Sequence, residues 1–339
     1  MQGIDPARPS LAVGALALAN RLVASPAPLG GQRYGGLPHP RSAALYAAQA
    51  AAGLVVTERC WVTPQGADRA FSPGLRNAAQ AEGWGGIAAA VHQAGGRIAL
   101  RLWHAGRRSH RAVQLGGSWP VAPSALAGPG EIATPLGPRP LPVPRALATE
   151  EIPGVIEDFV RAARRARAAG FDAVELDASG HGLVEQFFDP DSNRRVDSYG
   201  GDAERRLRFL AELLAALSAA WEPGRIGLRI AIRAPLDAED PAPALRAARL
   251  AGAHGLAWLH LARAAAPARD LALLRRAYGG ALLLGHAAAG EEAGIAALCR
   301  AQADLVALPP LPGTAPRLPA IAVRASPAAP RWADPLPVV

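Results

Sequence analysis

Eight short apolar segments recur along the chain, and seven of them lead into a segment of helical character. They begin near residues 22, 54, 97, 173, 226, 255, 281 and 304. Leu54-Val55-Val56-Thr57 is typical: apolar without alternation, as a strand buried on both faces of a parallel sheet requires. Helical patterns follow at 41–52, 78–94, 150–169, 202–220, 240–251, 270–278 and 289–301. Gly53 and Gly95-Gly96 stop the first two, glycine being able to take up the left-handed conformation that ends a helix. Eight strand–helix repeats specify a (β/α)8 TIM barrel, whose ligand chemistry sits at the C-terminal ends of the strands. The chain has 339 residues, half of them hydrophobic, which suits one such domain spanning 1–339.

Two stretches break the rhythm. Residues 106–148 carry eight prolines, the first at Pro120 and the last at Pro144. A loop this long is functional or has short elements of its own, and it reads as a cap over one barrel face after the third strand. Residues 309–339 form a Pro-rich C-terminal tail with no clear closing helix. At the other end, the apolar run Leu11 to Ala19 has the look of a secretory leader. Because it flows into Asn20-Arg21-Leu22-Val23, an opening hairpin before the first barrel strand is the preferred reading.

The net charge is +8, and all 36 basic residues are Arg. They are scattered, without the aromatic-interleaved basic strip of a nucleic-acid surface, so no nucleic-acid partner is expected. Two cysteines, Cys60 and Cys299, make no disulfide framework, and no Cys/His spacing fits a metal site. No apolar run is long enough to span a membrane. A cytoplasmic protein acting on a small molecule is the expectation, with homo-oligomerisation left open.

Several segments carry a resemblance: Asn20-Arg21-Leu22-Val23, Gly53-Leu54-Val55-Val56-Thr57-Glu58, Leu102-Trp103-His104-Ala105-Gly106-Arg107, Gly170-Phe171-Asp172, and Ser192-Asn193-Arg194-Arg195 through Tyr199-Gly200-Gly201. Through these the chain resembles the old yellow enzyme family of FMN-dependent ene-reductases along nearly its whole length. The resemblance implies a TIM barrel, FMN, and NAD(P)H as reductant. It also implies a set of strand-end residues, and there the chain departs from it. Pro28 stands where the family offers a donor to the flavin, Arg59 where it has a small residue, and Arg101 where it has Gln. Asp177 and Gly180 replace the pair that holds the substrate's activating oxygen, Gly182 falls at the proton-donor Tyr, and Pro309-Pro310 occupy the phosphate-binding Gly-Arg. Arg229 retains the position of an Arg at the flavin's pyrimidine edge.

These departures lead to the expectation that no cofactor is needed. Asp177, His181 and Arg101 are the candidate catalytic residues, with Asp177 and His181 as general acid and base. Arg59, Arg229, His286, Trp61 and Trp103 are the candidate substrate-binding residues. Arg59, Arg101 and Arg229 would converge as an anion pocket for a carboxylate or developing enolate, or simply pair with Asp177, since a buried Arg needs a partner. Such a site would isomerise, dehydrate or cyclise a conjugated carbonyl compound, enone or polyketide-like, without a redox step. The first alternative is an FMN-dependent ene-reductase using NAD(P)H, with FMN held by Pro26, Ala27, Arg59, Arg101 and Arg229; the second is a non-catalytic binding protein. His104 and His260 read as structural. Cys60 reads as a buried thiol, with activation by Arg59 as the competing possibility.

Overall fold

The computed structural model describes residues 10–25, 34–39, 41–114, 116–232, 236, 242–262, 267–285 and 302–308. In chain order the strands are β1 (Leu11–Val13), β2 (Leu16–Leu18), β3 (Leu22–Ala24), β4 (Leu54–Trp61), β5 (Ile98–Trp103), β6 (Val121–Ala122), β7 (Glu131–Thr134), β8 (Gly137–Pro140), β9 (Arg145–Ala146), β10 (Ala173–Ala178), β11 (Ile226–Ile230), β12 (Trp258–Leu261), β13 (Ala281–Leu284) and β14 (Leu305–Leu308). The helices are α1 (Ser42–Ala47), α2 (Ala78–Gln93), α3 (Ile152–Ala168), α4 (Leu183–Phe188), α5 (Ala203–Ala220), α6 (Pro243–Ala253) and α7 (Ala268–Ala277). Eight parallel strands close in the order β3-β4-β5-β10-β11-β12-β13-β14 and back to β3. All eight expected strands are present, so the TIM barrel stands. The expected helix over 289–301 and the tail from Pro309 lie outside the described residues, as do His286, Pro26, Ala27 and Pro28.

Alternation along each strand divides the apolar residues between two cores. Val55, Ile98, Leu100, Val174, Leu176, Ile226 and Leu228 face the helices and merge with Trp84, Phe159 and Leu210. Val23, Leu54, Val56, Ala99, Ala173, Leu283 and Leu305 face the barrel axis. The β1–β2 hairpin adds Val13, Leu16 and Leu18 to that inner core, plugging the barrel floor. The N-terminal apolar run is therefore a structural hairpin, as its continuity with the first barrel strand suggests. Gly14 sits at its tip with φ +55°, and a Cβ there would lie 2.3 Å from the Gly224 carbonyl, so the turn requires glycine.

Asn20 fastens the first barrel strand to the second. Its side-chain oxygen accepts from the backbone N–H of Leu22 (3.0 Å) and of Gly53 (2.8 Å), and its amide donates to the Ala51 carbonyl (2.9 Å).

β4 is longer than its apolar sequence suggests. The expectation ended it at Thr57, but pairing with β5 resumes after a register irregularity between Val56 and Arg59 and runs to Trp61. Such a bulge re-aims side chains, and it makes Arg59 and Cys60 strand residues.

The excursion after β5 has short elements of its own: a β7–β8 hairpin, and β6 paired in parallel with β9. Its two roots are tied to one residue. Arg195 donates to the carbonyls of Pro123 and Leu147 and pairs with Asp197, while Asn193 braces the same loop through the Phe187 and Tyr199 carbonyls.

Replacing Asn20 by Ala leaves two buried backbone N–H groups without acceptors. Each costs about 1–3 kcal/mol, so the urea unfolding midpoint should fall by the equivalent of at least about 2 kcal/mol. A change below about 0.5 kcal/mol would contradict this account of the β3–β4 junction.

Candidate active site

Alternation places Glu175 and Asp177 of β10 on the axis-facing side, one layer apart. The register then sets Glu175 beside Arg101 of β5 and Asp177 beside Arg229 of β11. Two ionic clusters result, stacked along the barrel axis.

In the lower cluster Glu175, fully buried, accepts from Arg101 Nε (2.7 Å), Trp258 Nε1 (2.9 Å) and His260 Nδ1 (2.8 Å). Burial favours the neutral acid, but His260, Arg101 and Arg229 outweigh it and hold the carboxyl well below its ordinary range. Burial keeps His260 below its usual value. Its Nδ1 carries the proton toward Glu175, because a carboxylate can only accept. Arg101 also donates to Ser25 Oγ at 2.9 Å. The expected pairing of Arg101 with Asp177 is thus corrected: Glu175, one layer below, takes it.

In the upper cluster Asp177 accepts from Arg59 Nε at 2.9 Å and Arg229 Nη1 at 3.3 Å. Its other oxygen accepts from the backbone N–H and hydroxyl of Ser179. Burial opposes ionisation, but Arg59 and Arg229 prevail and bring Asp177 down to about 2. It is a carboxylate at neutral pH and has no proton to give. Arg59 crosses the mouth with its guanidinium 3.8 Å from the centre of the Trp103 ring, a cation–π contact. Gly180 makes room for it: a Cβ at 180 would lie 2.0 Å from Arg59 Nη2. The guanidinium occupies the space where a side chain at 180 would begin.

Above this cluster lies a cavity of about 470 Å³, lined by Arg59, Arg108, Ser179, His181 and Arg229 among others. These residues belong to the C-terminal ends of β4, β10 and β11 and to the turn after β5, the face on which barrel enzymes build their sites. The structure brings together Asp177, His181, Arg59, Arg229 and Trp103. Arg101 lies one layer down. Trp61 is elsewhere: its indole donates to the Ser72 carbonyl, its ring lies against Gly74, and it borders a separate cavity with Arg69 and Phe71, so its expected place at the substrate is corrected. Trp119 is exposed and stacked on Arg111. His104 is buried and pushed down to about 3 by that burial, a neutral ring that accepts from the Gly106 N–H. Burial drives the Cys60 thiol well up, which excludes the Arg59-activated thiolate. Glu175, Ser179 and Arg108 escaped the sequence reading. Glu175 alone left a signal, lying two residues before Asp177 on the same strand face.

A model of the NADH:flavin oxidoreductase / NADH oxidase family matches residues 9–248, and the chain belongs to that family. It is 37% identical over 198 residues to the putative 12-oxophytodienoate reductase-like protein 1 of Arabidopsis thaliana, covering 58% of this chain and 60% of that protein. It is 36% identical over 219 residues to 12-oxophytodienoate reductase 1 of Oryza sativa subsp. japonica, covering 64% and 56%. A probable flavin mononucleotide-dependent alkene reductase of Leishmania infantum is 35% identical over 234 residues, covering 68% and 64%. The chain thus spans about 60% of the length of the curated relatives it matches. Among solved structures, morphinone reductase in complex with tetrahydroNAD superposes with a TM-score of 0.82 at 36% identity, covering 89% of this chain and 86% of that one. The old yellow enzyme homologue from Zymomonas mobilis gives 0.81 at 31%, covering 89% and 88%.

These kinships overturn the cofactor-free, non-redox expectation. The relatives are named as reductases, one of them flavin mononucleotide-dependent, and the family is one of flavin oxidoreductases. The error lay in treating changed strand-end residues as the loss of the cofactor. The described residues fit a flavin ring at the mouth. Among the described residues Arg229 Nε is buried without a hydrogen-bond partner, and burial outweighs Asp177 in pulling Arg229 below its ordinary value; a carbonyl or ring-nitrogen acceptor would satisfy that donor. The phosphate-binding positions Pro309-Pro310 lie outside the described residues. Among the described residues no cluster of His, Cys, Asp and Glu could hold a metal, and no helix is long and apolar enough to cross a membrane.

Asp177→Asn removes the counter-charge of two guanidiniums. Breaking a buried pair costs about 3 kcal/mol or more, so the variant should unfold at markedly lower urea at neutral pH. Asp177 has its folded value near 2, against an ordinary 3.8. Its contribution is therefore complete above the ordinary value and is lost as pH falls from about 4 to about 2. The gap between wild type and variant should be constant above pH 5 and shrink below pH 4. A gap unchanged at pH 2 would contradict the assignment.

Proposed function

We propose that the protein is an FMN-dependent NAD(P)H oxidoreductase that reduces a carbon–carbon double bond conjugated to a carbonyl in a small molecule. The observation that carries this reading is the set of guanidiniums around the barrel mouth in a chain of the flavin oxidoreductase family. Acceptors on a flavin edge and on a substrate carbonyl oxygen both call for donors there, and arginine supplies them in a planar fork. The flavin site on this reading is a reworked one. Arg229 would hold the pyrimidine edge, Arg101, fixed by Glu175, would lend its charge from one layer below Asp177, and Pro26 and Ala27 would complete the cofactor-binding set. FMN bound there would supply a hydride, taken in turn from NAD(P)H.

The remaining roles fall to this chain's own side chains. Arg59 donates to the substrate's carbonyl oxygen from the space a side chain at 180 would use, stabilising negative charge as it develops there. Asp177 anchors Arg59 and Arg229. His181, among the described residues the titratable side chain other than arginine that lines the cavity, delivers the proton to carbon. Trp103 supplies an apolar wall, and His286 is assigned to substrate binding. The sum is one NAD(P)H and one proton consumed per double bond reduced. We place the protein in the cytoplasm, acting as a single barrel whose 106–148 cap sets substrate range, with small-molecule biosynthesis or metabolism as its setting and no nucleic-acid partner.

Purified protein should be yellow, release FMN on denaturation, and oxidise NADH or NADPH in the presence of 2-cyclohexenone. Arg59→Ala should lower kcat by about 10²-fold, the effect of removing one donor to a developing oxyanion. A colourless preparation that remains so after incubation with FMN would refute the reading.

A further inference from the structure

On the reductase reading, the cavity has a feature which reduction of a neutral enone does not require. Three guanidiniums, those of Arg59, Arg108 and Arg229, line it. Among the described residues the acids nearby are Asp177, already shared by Arg59 and Arg229, Asp68, which acts on Arg59 but pairs with Arg69, and the buried Glu185, which accepts from the His181 backbone N–H. Each of these carboxylates already has a partner. Arg108 is the one left over. It ends the turn that follows β5, at the root of the cap, and is half-buried. Its guanidinium makes no hydrogen bond or ion pair to any described residue. Arg59 and Arg229, by contrast, are fixed by Asp177, so a second acceptor entering the cavity meets oriented donors on one side and an uncommitted fork on the other.

We infer that the substrate is an anion: an unsaturated oxo acid whose carboxylate is gripped by Arg108 while Arg59 takes the carbonyl oxygen. Arginine matches a carboxylate in bidentate geometry, and the half-buried setting makes each such bond stronger than on an open surface. Arg108 lies in the turn after β5 and Arg59 on the neighbouring strand, so the two ends of one small molecule can be held at once. Arg108 is thus a specificity-determining residue.

The test compares (E)-4-oxopent-2-enoate with its methyl ester, which share the enone and differ at one end in charge and one methyl group. In turnover by the flavin-loaded enzyme, kcat/KM for the acid should exceed that for the ester at least tenfold, about 1.4 kcal/mol. Arg108→Gln should bring that ratio close to one, and Arg108→Lys should restore part of it. Calorimetric titration of the same two compounds without NAD(P)H should show the same order of affinity and the same loss in Arg108→Gln. The calorimetry stands apart from turnover: flavin-free protein that oxidises no NAD(P)H would defeat the reductase reading, while acid and ester binding alike would defeat this one. Equal ratios in wild type and Arg108→Gln would overturn the inference. So would a rise in KM for NADPH in that variant at an unchanged acid-to-ester ratio, because Arg108 would then be reading the cofactor.

Discussion

The site depends on a single carboxylate that is shared. Asp177 lies at the end of a central strand, out of water, with a guanidinium on either side and the Ser179 hydroxyl and N–H behind it. None of these groups is tolerable alone at that depth, because an unpaired buried charge costs several kcal/mol. Together they are a preorganised unit. It sets where Arg59 can point, which places the Trp103 stack, and among the described residues it leaves Arg229 with one donor still unanswered. The lower cluster around Glu175 repeats the arrangement one layer down and keeps Arg101 from competing for Asp177.

The barrel was legible in the sequence because its determinants are local. A run such as Leu54-Val55-Val56 says strand by composition alone, and eight runs separated by helical spacing leave one closed topology. Where the reading fell short, the missing information was non-local. The bulge that turns Arg59 toward the mouth arises from the pairing of β4 with β5, which no property of Glu58-Arg59-Cys60 announces. The Arg59–Asp177 pair joins residues 118 apart in the chain.

That non-locality also explains the misjudged chemistry. Gly180 was seen to lack the side chain that the resemblance calls for, and the missing group was counted as a missing function. The structure shows a guanidinium delivered to the same space from another strand. Position-by-position comparison sees what has left a position; it cannot see what has entered the volume. Trp61 failed for the same reason: its sequence neighbourhood is that of the site, but its ring lies against Gly74.

Arg195 holds the carbonyls of Pro123 and Leu147 with one guanidinium. The chain between those two points leaves and returns through a fixed gate, so its internal length and sequence are uncoupled from the register of the strands below. Insertions, deletions and proline-rich drift can accumulate there without reaching the ionic layers of the barrel. An arginine in the loop between α4 and α5 thereby separates the register of the barrel from the length of the excursion above it.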